Sequence, residues 1–167
     1  MITIKVNRKQ KPQDILKATG FTMYTTDEIV NKMPKGKGKE VILDFFRLDK
    51  YVSEKELESE YKKRNLIPAD PYSLATLAIE NKDIFDEKKY IGTQWKDKKG
   101  YCFAAFGSNF GHRDVDVDRN DNVWDDHWWF AGLRKSSTKD SDTQTSTQTL
   151  STLPDTLEIN GIKYKKI

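Results

Sequence analysis

The stretch from Gly92 to Lys135 places the tightest limits on this 167-residue chain, because it holds all four tryptophans (Trp95, Trp124, Trp128, Trp129), both histidines (His112, His127) and the only cysteine, Cys102. Large aromatics normally enter a core, yet between Asn109 and Arg134 they are interleaved with Asp, Asn, Arg and His, which resist burial unless paired. That mixture predicts a recognition surface. The local pattern is one of short strands separated by turn residues: Tyr101 to Phe106 reads as a buried strand in which Cys102 acts as a small hydrophobe. Asp114 to Asp118 alternates strictly, so Val115 and Val117 face one side and Asp114, Asp116 and Asp118 the other. Three like charges along one strand face repel and need a cation, an arginine such as Arg113 or Arg119, or open water. A turn over 120–122 and a closing apolar strand from Trp128 to Leu133 complete the stretch.

Ahead of it, strands and helices are mixed. Ile2, Ile4 and Val6 alternate with polar residues as in a half-buried strand. Pro12 suits a first helical position, Thr25 or Thr26 suits the cap of a second short helix through Met33, and Pro34 stops it. Glu40 to Leu48 predicts a strand buried on both sides. Ser53 and Glu56 have the spacing of a capping box for a helix running to about Asn65, with Leu57 and Tyr61 on its inner face. Asp70 and Pro71 start a further helix whose Leu74, Leu77, Ala78 and Phe85 pack inward.

Composition narrows the function. Lys and Arg (29) nearly match Asp and Glu (26), and the net charge of +3 is a weak electrostatic footprint for a dedicated nucleic-acid binder. The basic loop from Lys35 to Lys39 lacks the hydroxyl residue and the strand–loop–helix order of a phosphate-binding loop. A single cysteine excludes an internal disulfide framework and a cysteine zinc cluster. No apolar run approaches the ~20 residues of a membrane span, and Met1 to Gln10 has no signal-peptide core; the expected location is cytoplasmic, or a virion or surface reached without a signal peptide. Residues 136–153 form a Ser/Thr-rich segment expected to be a flexible linker between a domain over 1–135 and a C-terminal β-hairpin over 154–167. In that hairpin Asn160-Gly161 sets a register of Ile159 opposite Ile162 and Leu157 opposite Tyr164. A lone hairpin is marginal in water, so it is expected to dock in cis or on another copy.

The aspartates at 114, 116 and 118, with Asp125 twelfth, have the spacing of a calcium loop, but Arg119 stands where a glycine is wanted. A calcium- or magnesium-dependent site at this ladder is therefore an alternative, and no cofactor is expected. No nucleophile elbow, metalloprotease pair or nucleotide fingerprint supports catalysis.

Two helical segments followed by a β-rich half, arginines at 113 and 119, and a last strand ending Gly132-Leu133-Arg134 resemble the C-type-lectin-like fold. The closer likeness is to the branch shared with formylglycine-generating enzymes, whose last strand commonly reads Gly-Phe-Arg. That branch contains variable ligand-binding proteins diversified by retroelements, and Asn109 to Trp128 looks like their displayed patch. The cysteine pair of the oxidases is not present. The resemblance implies an α+β domain and a non-enzymatic module that binds a protein ligand through Asn109, His112, Arg113, Asp116, Asp118, Arg119, Asn120, Asn122, Trp124, Asp126, His127 and Trp128, with Trp124 and Trp128 as anchors. The alternative is a small phage or mobile-element effector binding nucleic acid or a host protein through the basic loop.

Overall fold

The computed structural model describes residues 1–120, 123–134, 156–159 and 162–165. Local chemistry places most elements where the residues ask for them. The capping box at Ser53 forms, with the Ser53 N–H donating to Glu56 Oε2 at 2.8 Å, and it opens a helix over Glu54–Lys63. Asp70 caps Pro71–Glu80 by accepting from the Ser73 N–H at 3.0 Å, and Pro71 fills its first position. In chain order the elements are β1 (Ile2–Lys5), α1 (Pro12–Ala18), β2 (Thr22–Thr25), α2 (Asp27–Val30), β3 (Glu40–Arg47), α3 (Glu54–Lys63), β4 (Leu66–Pro68), α4 (Pro71–Glu80), α5 (Asp83–Lys88), β5 (Tyr90–Asp97), β6 (Gly100–Asn109), β7 (His112–Arg119) and β8 (Trp129–Arg134). The chain divides into units Met1–Ser136 and Ser137–Ile167. In the second, β9 (Thr156–Ile159) and β10 (Ile162–Lys165) pair with Ile159 opposite Ile162 and Leu157 opposite Tyr164, the expected register. The linker expected over 136–153 lies outside the described residues.

The first unit is α+β around one eight-stranded sheet. Its strand order is β1-β3-β8-β5-β6-β7-β2, with β4 also on β8. Strand β8 is the junction. One edge runs antiparallel to β3, from Leu43 opposite Leu133 to Arg47 opposite Trp129. The other edge is shared: Trp129 and Phe130 run parallel to β5, and Gly132 to Arg134 run antiparallel to β4. The hairpin β5–β6 closes at Asp97 and Gly100, and β7 extends it.

Both sheet faces carry helices, one of them over only part of its area. Helices α1, α2, α4 and α5 bury Leu16, Ile29, Leu77 and Phe85 with Leu43, Phe106, Val115, Val117 and Leu133 on one face. On the other, Leu57 and Tyr61 of α3 pack with Phe46, Leu66, Phe130 and Trp124. The Tyr61 hydroxyl donates to the Ala131 carbonyl at 3.0 Å, and burial pushes its pKa far up.

Several expectations are corrected. The order is not two helices followed by a β-rich half: five helices are present among the described residues, and β1 to β4 of the N-terminal half join the same sheet. Strand β2 is unsignalled locally, because it exists through parallel pairing of Thr22 to Thr25 with Asp114 to Val117. The helix from Pro71 does not reach Phe85, since Asn81 leaves the helical region at φ −145° and α5 starts afresh. Strand β3 is only partly buried on both sides, with Leu43 and Phe46 inside and Ile42 43% exposed.

Glycine 132 tests the junction. A Cβ there would lie 2.9 Å from Leu66 Cδ1 and 3.3 Å from Tyr61 Cε1. Gly132→Val is expected to lower stability by about 1–3 kcal/mol through overpacking, measured by urea unfolding.

Candidate binding cleft

The sheet face that carries α3 is incompletely covered over β5, β6 and β7. Strand pairing arranges its outward side chains in rows: Gln94, Phe103 and Asp118; then Gly92, Ala105 and Asp116; then Tyr90, Gly107 and Asp114. On β2, Tyr24 pairs with Asp116 and is 57% exposed. Small residues at 92, 105 and 107 leave a depression between bulkier neighbours. A Cβ at Gly92 would stand 2.7 Å from Cζ3 of Trp124 and 3.4 Å from Cε3 of Trp128, and one at Gly107 would stand 2.5 Å from Asp114 Oδ1. Both glycines thus admit a neighbour's side chain directly over the backbone. A cleft of about 250 Å³ remains, lined by Tyr90, Phe103, Ala105, Gly107, Asp114, Asp116, Arg119, Asn120, Val123, Trp124 and Trp128.

Its aromatic wall is held by specific bonds. The backbone of Trp124 forms a two-way bridge with Val52, both N–H···O distances being 2.9 Å. Its indole Nε1 donates to Gln94 Oε1 at 3.1 Å, while Gln94 Nε2 donates to the Glu54 carbonyl at 2.7 Å. The buried amide of Gln94 is thereby used at both ends. Trp124 meets Phe103, Trp128 and Phe130 edge to face, with centroids 5.9, 5.1 and 5.4 Å away. Trp128 contacts Tyr90 at 5.4 Å and stacks on His127 at 5.9 Å.

The acidic wall is left uncompensated. Arg119 donates to both carboxylate oxygens of Asp97, at 3.1 and 3.0 Å, which holds Asp97 far below the usual carboxylate range. Arg113 is likewise engaged by Asp86, which also accepts from Ser108. Among the described residues no hydrogen bond or ion pair reaches the side chain of Asp114 or Asp116. Burial, and then the charges of Asp118 and Asp114, push the Asp116 pKa up to about 6. Beyond its own strand, Asp116 faces Tyr24 of β2 and Tyr90 of β5, while the outward side chains of β6 are uncharged and Arg119 is turned to Asp97.

The predicted site residues are thus divided. Asp116, Arg119, Asn120, Trp124 and Trp128 come together in the cleft. Asn109, His112 and Arg113 sit at the β6–β7 turn beside a fully exposed Phe110, Asp118 lies one row away, and Asp126 and His127 flank the far side of Trp128. Asn122 lies outside the described residues. Trp124 does not act as an exposed anchor: it is 5% exposed, because Gly92 and Gln94 give its ring and its N–H a buried seat. Tyr90, Phe103, Ala105, Gly107, Asp114 and Val123 line the cleft without having been expected as site residues; of these only Asp114 carries a local signal, its alternation with valine. Asp114, Asp116 and Asp118 all lie on an extended strand paired at both edges, rather than in the tight loop that 1, 3, 5 calcium coordination uses. Asp125, Asp126 and His127 could bring ligand atoms within 4.8 Å of one another, but His127 Nδ1 already lies 2.9 Å from Asp125 Oδ1 and the group is mostly exposed.

Two outcomes follow from this geometry. An acid whose pKa is raised on folding binds more protons in the native state, so its contribution to stability falls as pH rises through the window from 3.8 to about 6. Asp116→Asn should therefore stabilise the protein at pH 8 by about 1–3 kcal/mol and change little near pH 3.5, as read from unfolding curves at the two pH values. Trp124→Ala should cost about 3–5 kcal/mol at any pH, measured in the same way.

No known protein family matches this chain, and neither a curated protein nor a solved structure matches it.

Proposed function

We propose that this chain is a non-enzymatic protein-binding module whose contact surface is the cleft beside Trp128 and its rim. The observation that carries the reading is an open cleft with one aromatic wall and one wall of carboxylates without an ion-pair partner among the described residues, built over Ala105 and Gly107, with Gly92 seating the Trp124 ring. Rigid aromatics supply contact area at low entropic cost and polar groups supply direction, the composition of binding hot spots. Of the lining residues Val123 is 58% exposed, and Phe110 in the β6–β7 turn is 100% exposed.

The finer reading, a C-type-lectin-like scaffold of the formylglycine-generating-enzyme branch whose patch is diversified by a retroelement, belongs to the same proposal. It rests on Gly132-Leu133-Arg134 and on the composition of 109–128. Sequencing the gene from sibling isolates tests it: substitutions concentrated between Asn109 and Trp128 are expected, and uniform drift would sink it.

A second reading has its own observation. Lys5, Arg8, Lys9, Lys37 and Lys39 line an open groove of about 810 Å³ suited to a polyanion. Arg8, however, is tied to Asp70 at 2.7 Å and to the Gly38 carbonyl at 2.6 Å, so it shapes the loop and offers the groove less charge. Salt-sensitive RNA or DNA binding that disappears when Lys37 and Lys39 are changed to Gln would favour this reading.

The leading reading is tested by panning a random-peptide display library on the immobilised protein and mapping enriched peptides by hydrogen exchange. Protection is expected at 90–92, 103–107 and 114–128. Trp128→Ala should weaken those peptides at least about tenfold, the usual size of a hot-spot loss. Enriched peptides that map elsewhere, or none at all, would overturn it.

A further inference from the structure

The two walls of the cleft differ in chemistry, and their combination selects an occupant. Trp128 and Phe103 line one side, and the face of an aromatic ring attracts a cation through its quadrupole. Asp114 and Asp116 stand on the opposite side, two residues apart on β7 and so on the same face. The nearby arginines are already paired: Arg119, which borders the cleft, is bound to Asp97, and Arg113 is bound to Asp86. A hard metal ion would use the carboxylates but gain no ligand atom from the rings. The space of about 250 Å³ is below the range of drug-sized ligand pockets and suits one side chain. A guanidinium fits both walls at once, because it stacks on an aromatic ring while its planar fork donates to carboxylate oxygens; an ammonium offers a point charge without the stacking plane.

We propose that the cleft between Trp128 and Asp116 receives an arginine side chain of the partner protein. This assignment rests on the module reading above and adds the chemistry of its central contact. The ladder then makes sense as a surface whose charge is completed in the complex: Asp116, whose ionisation costs the free protein stability, gains a cationic partner when the arginine docks.

Short peptides test it directly. Acetylated, amidated Gly-Arg-Gly, its lysine counterpart and its citrulline counterpart are titrated into the full chain and followed by two-dimensional ¹H–¹⁵N NMR. The arginine peptide should shift the Trp128 indole resonance and the amides of Ala105 and Asp116 at millimolar concentration. The citrulline peptide, isosteric but uncharged, should bind at least about tenfold more weakly, and the lysine peptide severalfold more weakly. Asp116→Asn, expected to fold at least as stably as the wild type, should remove the arginine response. Equal shifts with citrulline, a lysine response as strong as arginine's, shifts remote from the cleft, or an unchanged response in Asp116→Asn would each overturn the assignment. Saturating calcium or magnesium that abolishes the arginine shifts by occupying Asp114 and Asp116 would overturn it in favour of a metal site. Library peptides that protect the cleft but carry no required arginine would leave the module reading standing and remove only this inference.

Discussion

The Trp124 ring can lie against the sheet only because Gly92 has no side chain, and much of the uncovered face depends on that seat. Through Gln94 the indole N–H is linked to the Glu54 carbonyl at the start of α3, and its own backbone is bridged to Val52. The ring also closes the packing of Phe46, Leu57, Tyr61 and Phe130. One side chain therefore ties a loop, a helix start and the central strands together, and its outer edge supports Trp128. A buried polar group is tolerable at such a place only if both of its ends find partners, and Gln94 meets that condition.

The opposite wall follows another logic. Asp97 and Asp86 each hold an arginine that sequence proximity would have assigned to the aspartate ladder. Burial, and then the charges of Asp118 and Asp114, push the Asp116 pKa up to about 6, so keeping this carboxylate ionised at neutral pH costs the free protein stability. A protein selected for stability alone would replace such a residue with an amide or an apolar side chain. Uncompensated charge beside partly buried aromatics suits the contact surface proposed above, whose electrostatic partner would belong to another molecule.

The legible parts of the fold were those decided within a few residues. The capping box at Ser53, Pro71 after Asp70, the alternation of Val115 and Val117 and the β9–β10 register all follow from contacts at short separation, and the structure reproduces them. What escaped was decided at long range. Strand β2 owes its existence to β7, β8 is hydrogen-bonded to three strands from distant parts of the chain, and the break at Asn81 separates two helices whose apolar positions continue one pattern.

For the site, the sequence by itself determined which stretch carries the unusual chemistry, and that three aspartates share one strand face, because side-chain direction in a strand has period two. Only the tertiary structure decided that Trp124 is buried while Trp128 borders open space, that the arginines at 113 and 119 pair with Asp86 and Asp97, and that Tyr90, Phe103, Ala105 and Gly107 complete the cleft. The reason is physical: burial and ion pairing depend on which strands become neighbours, and pairing β5 with both β6 and β8 brings Gly92 beneath a tryptophan that follows it far along the chain.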